Sequence, residues 1–263
     1  MMQRNEVNNL EPWLRYHAHL FGIENLCVID HGSEHPKIIA ILEAYQKRGL
    51  QVRRLPATAD YRRKGEFVSE VMLTLDAFKL YDIFLPLDCD EFVALRDETG
   101  QYLCARDAIL DYLSTLTQRE TILEVKENLL NILGAPGKFL PLPYQKVFFA
   151  GGHCGVVDHG SHHDQSGRGR QAEATRLVYL HFHHRPYARQ VEASLAKLRP
   201  YVDVYDRAAV ERFRGPGWHL VHHIFNGKTA YETMMTHGEK VEVTGLLALF
   251  RDLDIDPLFT EQV

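Results

Sequence analysis

Apolar residues recur at helical spacing in several stretches of the chain. Leu10, Trp13, Leu14 and Leu20, with His17 among them, fall on one side of a helix predicted over residues 10–21, with Pro12 in its first turn and Gly22 as its stop. The apolar run Leu26-Cys27-Val28-Ile29, ending in Asp30, reads as a buried parallel strand. His31-Gly32-Ser33 is turn chemistry, and Ile38, Ile39, Leu42 and Tyr45 then mark a second helix closed by Gly49. Residues 51–55 predict a strand whose arginines place it at a sheet edge. Phe67, Val71, Leu75 and Phe78 predict a longer helix over residues 66–80. It feeds a strand from Ile83 to Leu87 that ends in Asp88-Cys89-Asp90-Glu91. Helices and strands thus alternate over the first hundred residues, the pattern of an α/β sheet with parallel strands. Such sheets bind ligands beyond the carboxyl ends of their strands, where Asp30 and Asp88 fall.

The second half is less regular. The patterning predicts a helix over residues 106–116, strands at 121–125 and 145–149 on either side of the loop Gly134-Ala135-Pro136-Gly137, and a strand at 177–182. A helix over 186–198 follows, then a helical tail from residue 208 that includes 221–225. Residues 153–170, rich in Gly, His, Ser and Asp, read as a long active loop or an ordered lid. No repeat or low-complexity linker divides the chain, so residues 201–263 are expected to be a helical extension of the same domain as residues 1–200.

Composition narrows the function classes. Thirty Lys+Arg against 35 Asp+Glu give a net charge of −5, which argues against nucleic acid as the main partner. No apolar run reaches the ~18 residues of a membrane span. The start, MMQRNEVNN, lacks the apolar core of a signal peptide, so a cytoplasmic location is expected. Cys27, Cys89, Cys104 and Cys154 form no C-x-x-C pair, and reduced thiols are expected. The 15 histidines raise the question of metal binding and proton handling.

The sharpest chemical signal is Leu85-Pro86-Leu87-Asp88-Cys89-Asp90-Glu91-Phe92. Along an extended strand Asp88 and Asp90 would face the same side and offer two hard oxygen ligands, suited to Mn²⁺ or Mg²⁺ with phosphate oxygens completing the shell. With Arg4-Asn5-Glu6, Trp13-Leu14-x-Tyr16-His17, Gly22 and Val28-Ile29-Asp30-His31-Gly32-Ser33 before it, this stretch resembles the bacterial family-two-like glycosyltransferases. Lys146 and Leu180-His181-Phe182-His183-x-Arg185 are similar to later elements of that family. His31 departs from the family's usual Asn, and of the strand before R-N-E only Met1-Met2-Gln3 is present.

The resemblance implies a GT-A-like, Rossmann-like mixed sheet flanked by helices over residues 1–200. It implies a nucleoside diphosphate-sugar donor, UDP- or GDP-linked, and a glycan, lipid-linked or protein acceptor, in an inverting transfer that builds a bacterial surface or secreted glycan. Asp88 and Asp90 would hold the metal; Asn5, Glu6 and Asp30 would sit beside the nucleotide. For Asp30 a turn-capping role stands equally open. Lys64, in the run Arg62-Arg63-Lys64-Gly65, reads either as a contact to the donor diphosphate or as a solvated helix entry. His181 and His183 alternate along a strand, and His181 is expected to reach the metal from the side opposite the two aspartates. Asp158 and His153, in the polar loop, are the candidates for the base that takes the acceptor proton, with Asp164 as a further one. His153, His159, His162 and His163 match no standard zinc spacing. Two other readings compete. One is a metal-dependent hydrolase or nucleotidyl-transfer enzyme using the His-rich loop; the other is a non-catalytic GT-A-like binding protein.

Overall fold

Met2–Gln3 (β1) opens the chain as a two-residue strand. Helix α1 (Leu10–Phe21) has the expected bounds, buries Leu10, Trp13, Leu14, Tyr16, His17 and Leu20, and stops at Gly22, whose φ of 86° suits glycine. Then come β2 (Cys27–His31), α2 (Pro36–Gln46), β3 (Gln51–Leu55) and α3 (Lys64–Ala77). β1, β2 and β3 form a parallel three-stranded sheet with β2 in the middle, so β3 is an edge strand. The computed structural model describes residues 1–215, 217–235 and 237–256.

The next elements are β4 (Ile83–Phe84), β5 (Glu91–Arg96), β6 (Tyr102–Leu103), α4 (Arg106–Ser114), β7 (Ile122–Asn131) and β8 (Lys138–Ala150). They are followed by β9 (Ala172–Ala174), β10 (Leu177–His181), α5 (Tyr187–Leu198), α6 (Arg207–Arg212) and α7 (Val221–Phe225). α8 (Gly227–Met234), β11 (Val241–Thr244) and α9 (Leu246–Asp252) complete the series. The strands from β4 onward form a mixed eight-stranded sheet in the order β4-β8-β11-β6-β5-β10-β7-β9. β7 also pairs with β8, so the pairings β5–β10–β7–β8–β11–β6–β5 close a circuit. The fold is therefore mixed α/β, with sheets flanked by helices.

Four expectations change. Residues 85–90 are not strand but an irregular turn between β4 and β5, so the alternation that was to aim Asp88 and Asp90 the same way is absent. The parallel pairing expected over the first hundred residues stops at β3: β4 pairs antiparallel with β8 and enters a mixed sheet, the kind of sheet expected for the chain as a whole. Residues 201–263 are not helical throughout: Val241 and Val243 alternate with polar neighbours, and β11 slots between β8 and β6. Leu246 and Phe250 of α9 then join the main core; residues 257–263 lie outside the described residues. Finally, α3 turns Lys64, Gly65, Ser69 and Met72 inward and leaves Phe78 exposed beyond its end.

The main core gathers α1, α2, α4 and α9 on the two sheets, with Tyr16, Phe92, Phe182 and Phe250 in edge and tilted contact. His17 belongs to it: its Nδ1 meets the Trp13 carbonyl, and burial pushes its pKa down to about 3.

Candidate functional site

The β4–β5 turn carries two carboxylates into two different surroundings. Asp88 is clamped by lysines from both sides. Lys64, in the first turn of α3, bonds Oδ1, and Lys146 of β8 bonds Oδ2 at 2.8 Å. Lys146 also reaches Glu91 at 2.8 Å, and Glu91 Oε2 accepts the Asp88 N–H at 2.8 Å. Burial alone would raise the Asp88 pKa. The attraction of Lys146 and then of Lys64 outweighs it and holds the carboxyl well below the usual range. Lys64 is positioned by close packing: a Cβ on Gly65 would lie 2.5 Å from the Val157 carbonyl oxygen, and Ser69 Oγ accepts the Val157 N–H at 2.9 Å.

Asp90 faces histidines. In the antiparallel register His181 of β10 stands opposite Glu91, and the Phe182 N–H donates to the Asp90 carbonyl at 2.8 Å. That stapling brings His181 Nε2 to 3.6 Å from Asp90 Oδ2. His183 follows two residues on, its ring centroid 5.2 Å from that of His181. The strand end is fixed by Asn131, whose Nδ2 donates to the His184 carbonyl and whose Oδ1 accepts the His184 N–H, each at 2.8 Å. One ligand atom from each of Asp90, His181 and His183 lies within 4.8 Å of the others, and no other such group occurs among the described residues. Burial lowers the His181 pKa, but Asp90 outweighs it and leaves His181 raised; His183 is lowered by burial and by the His181 charge. One carboxylate and two imidazoles suit Mn²⁺ better than Mg²⁺, which prefers oxygen. Asp88 lies outside this group.

Around the turn sit the residues expected beside a nucleotide. Asp30 is buried, with Oδ1 accepting from Gln3 Nε2 at 2.7 Å and Oδ2 from the Ser33 N–H at 3.4 Å, so both oxygens have internal partners. Asn5, at φ 54°, uses Oδ1 to accept the Glu34 and His35 N–H groups at 3.0 Å. Glu6 pairs with Arg185 at 3.5 Å; burial raises its pKa despite that charge. Tyr61 stands between His31 and His159, 5.7 and 5.3 Å away by ring centroids.

The loop candidates separate. Asp158 backs onto Gly65 beside Lys64, and its Oδ1 accepts the His162 N–H at 2.6 Å. His153 instead lies beside Asp76, which accepts the Gly152 and Cys154 N–H groups. Asp76 is twelve residues along α3 from Lys64, about 18 Å at the helical rise. Asp164 ties the loop together through Arg170 at 2.9 Å and Ser166 at 2.7 Å. His162 is held by the Gln145 carbonyl and the Tyr144 hydroxyl. These internal bonds leave the loop few donors for a metal. The pairing of Lys64 and Lys146 on Asp88, and the place of Glu91 and Tyr61, escape sequence reasoning; the H-x-H spacing was the signal for His183.

A sizeable cavity lies elsewhere. It is an apolar slot of about 470 Å³ lined by Met1, Leu20, Leu26, Val71, Leu75 and Leu110 among others, and it brings no cluster of titratable groups together. Compared with known proteins, the chain matches no family model and no curated sequence.

Proposed function

We propose that the protein is a metal-dependent, GT-A-like glycosyltransferase that moves a sugar from a nucleoside diphosphate-sugar, UDP- or GDP-linked, to a glycan, lipid-linked or protein acceptor, with inversion. The observation that carries the reading is the juxtaposition on one turn: a carboxylate–imidazole group fit for a divalent cation beside a lysine pair fit for phosphate oxygens. A nucleoside diphosphate leaving group needs both kinds of partner.

Asp90, His181 and His183 would hold the ion, and of Mn²⁺ and Mg²⁺ the former suits their two imidazoles better. When bound, it would offset the negative charge that gathers on the departing diphosphate. Lys64 and Lys146 add fixed positive charge on the other side of the turn. Tyr61 offers a face on which a base can stack, between His31 and His159. Glu6 and Arg185 pair with each other beside Asp90. Asp158 is the proton acceptor for the acceptor hydroxyl, because it lies at the Lys64 end of α3 and His153 does not. We place the reaction in the cytoplasm, where the four free cysteines stay reduced. No helix among the described residues is long and apolar enough to cross a membrane.

The test is release of UDP or GDP from a panel of nucleoside diphosphate-sugars with Mn²⁺, with and without candidate acceptors. Asp90→Asn is expected to lower release by about a hundredfold or more, about 3 kcal/mol of transition-state stabilisation. Metal-independent release, or release unchanged in a folded Asp90→Asn protein, would remove the reading.

A further inference from the structure

Asp88 and its lysines are arranged in depth. The ammonium-bearing side chains are nearly out of reach of water, 2 % exposed for Lys146 and 9 % for Lys64, while the Asp88 side chain above them is 29 % exposed. The carboxylate is therefore a lid of negative charge over two buried cations. Beneath it Lys146 keeps a second anion, Glu91, which is fully buried. Lys64 has no other carboxylate partner among the described residues. Its neighbours Arg62 and Arg63 point outward and are paired with Asp60 and Glu66. Lys64, Lys146, Asp88 and Glu91 sum to zero charge; without Asp88 they would carry one net positive charge that burial makes costly.

The main chain under the lid is fixed, and the lid itself is held, among the described residues, only by the two lysines. Asp88 lies in irregular chain, and its main chain is held at both N–H and C=O by Glu91, at 2.8 and 3.1 Å. Rotation of the Asp88 side chain alone would uncover the side of both ammonium groups that it now occupies. We infer that Lys64 and Lys146 form a binding site for a phosphate or diphosphate group, and that the Asp88 carboxylate occupies it as a resident competitor. This deepens the reading above, which gives the two lysines to the donor's phosphates, by making Asp88 their resident competitor, and it stands on the lysine geometry alone. It reverses the usual expectation for a carboxylate beside a phosphate site: removing it strengthens anion binding in the absence of metal.

The experiment is calorimetric titration with inorganic pyrophosphate, free of metal, into the full chain. Wild type should bind weakly. Asp88→Asn and Asp88→Ala should each bind at least about tenfold tighter, because a good charge-assisted hydrogen bond exceeds that margin. Adding Lys64→Met to Asp88→Asn should return the affinity to the wild-type level. Affinity no tighter in either single variant, or a gain that survives Lys64→Met, overturns the inference. If both single variants unfold in buffer alone, pyrophosphate must restore their circular dichroism; variants that stay unfolded with it count against the site. Sugar transfer is not read in this experiment. A protein that transfers no sugar can still pass it, and a working transferase whose Asp88 variants bind no tighter refutes this inference alone.

Discussion

Asp88 and Asp90 stand one residue apart and meet opposite chemistry. Asp88 sits among lysines whose charge is permanent near neutral pH. Asp90 sits among imidazoles whose charge is conditional. The reason is the turn itself. Without strand alternation the two side chains diverge, one toward α3 and β8, the other toward the end of β10. A D-x-D spacing therefore does not imply two ligands on one ion. Here it distributes one carboxylate to a lysine ion-pair network and one to a candidate metal group.

The comparison breaks most visibly in stability. Lys146→Met should cost about 3–5 kcal/mol in urea unfolding, because it strands Glu91 and half of Asp88 in a buried place. Above the raised folded pKa of His181, where the ring is neutral, His181→Asn should cost under about 1 kcal/mol by the same measurement, since no ion pair is then broken. Equal costs would mean that the two sides are not different in kind.

Metal affinity should separate them the other way. His183→Ala is expected to weaken Mn²⁺ binding about tenfold or more and to narrow the preference for Mn²⁺ over Mg²⁺, while Lys64→Met leaves metal affinity within about threefold. Calorimetry with each ion reads both effects.

A pH series sharpens the distinction. Asp90 raises the His181 pKa above its ordinary 6.5 in the folded state. Its stabilisation of the metal-free protein is complete below about pH 6.5 and is lost as pH rises through the folded value. Metal binding needs the neutral ring, so Mn²⁺ affinity moves oppositely and falls on acidification through that same value. His181→Ala should flatten both profiles. A metal-free stability that keeps rising above pH 6.5 only in wild type would contradict the assignment.

Asp30 lies apart from both carboxylates of the turn. Asp30→Ala should lower stability by about 1–2 kcal/mol, because Gln3 Nε2 retains Ser33 Oγ at 3.1 Å and loses only one of its acceptors. Thermal unfolding measures it; a weakened UDP or GDP affinity with no loss of stability would point to the nucleoside role instead.

Much of this was legible in the chain, for identifiable reasons. α1 and β3 were placed to the residue because clear apolar periodicity stops at Gly22 in the one case, and a short segment is bounded by Gly49 and Pro56 in the other. β5 was missed since its first five residues are all buried and show no alternation. The middle of the β7–β8 hairpin was missed because Lys126, Glu127, Asn128, Pro141 and Pro143 interrupt its apolar pattern. In the site, residue types were readable and partners were not. Asp90 and His181 are natural ligands wherever they meet, but their meeting depends on the register that sets His181 against Glu91. Likewise nothing local to Lys146 says that it reaches Asp88; that follows from where β8 passes under the turn. His17 shows the converse, a histidine within a recognisable motif that packs as core.

The central claim is that a divalent ion binds at Asp90, His181 and His183 and couples there to a nucleoside diphosphate. Mn²⁺ titration followed by electron paramagnetic resonance, with and without UDP or GDP, tests it most directly. The account predicts one site in wild type, tightened by the nucleotide, and at least about a hundredfold weaker in a folded Asp90→Asn protein. One Mn²⁺ bound with equal affinity by wild type and Asp90→Asn, or no response to either nucleotide, would contradict it.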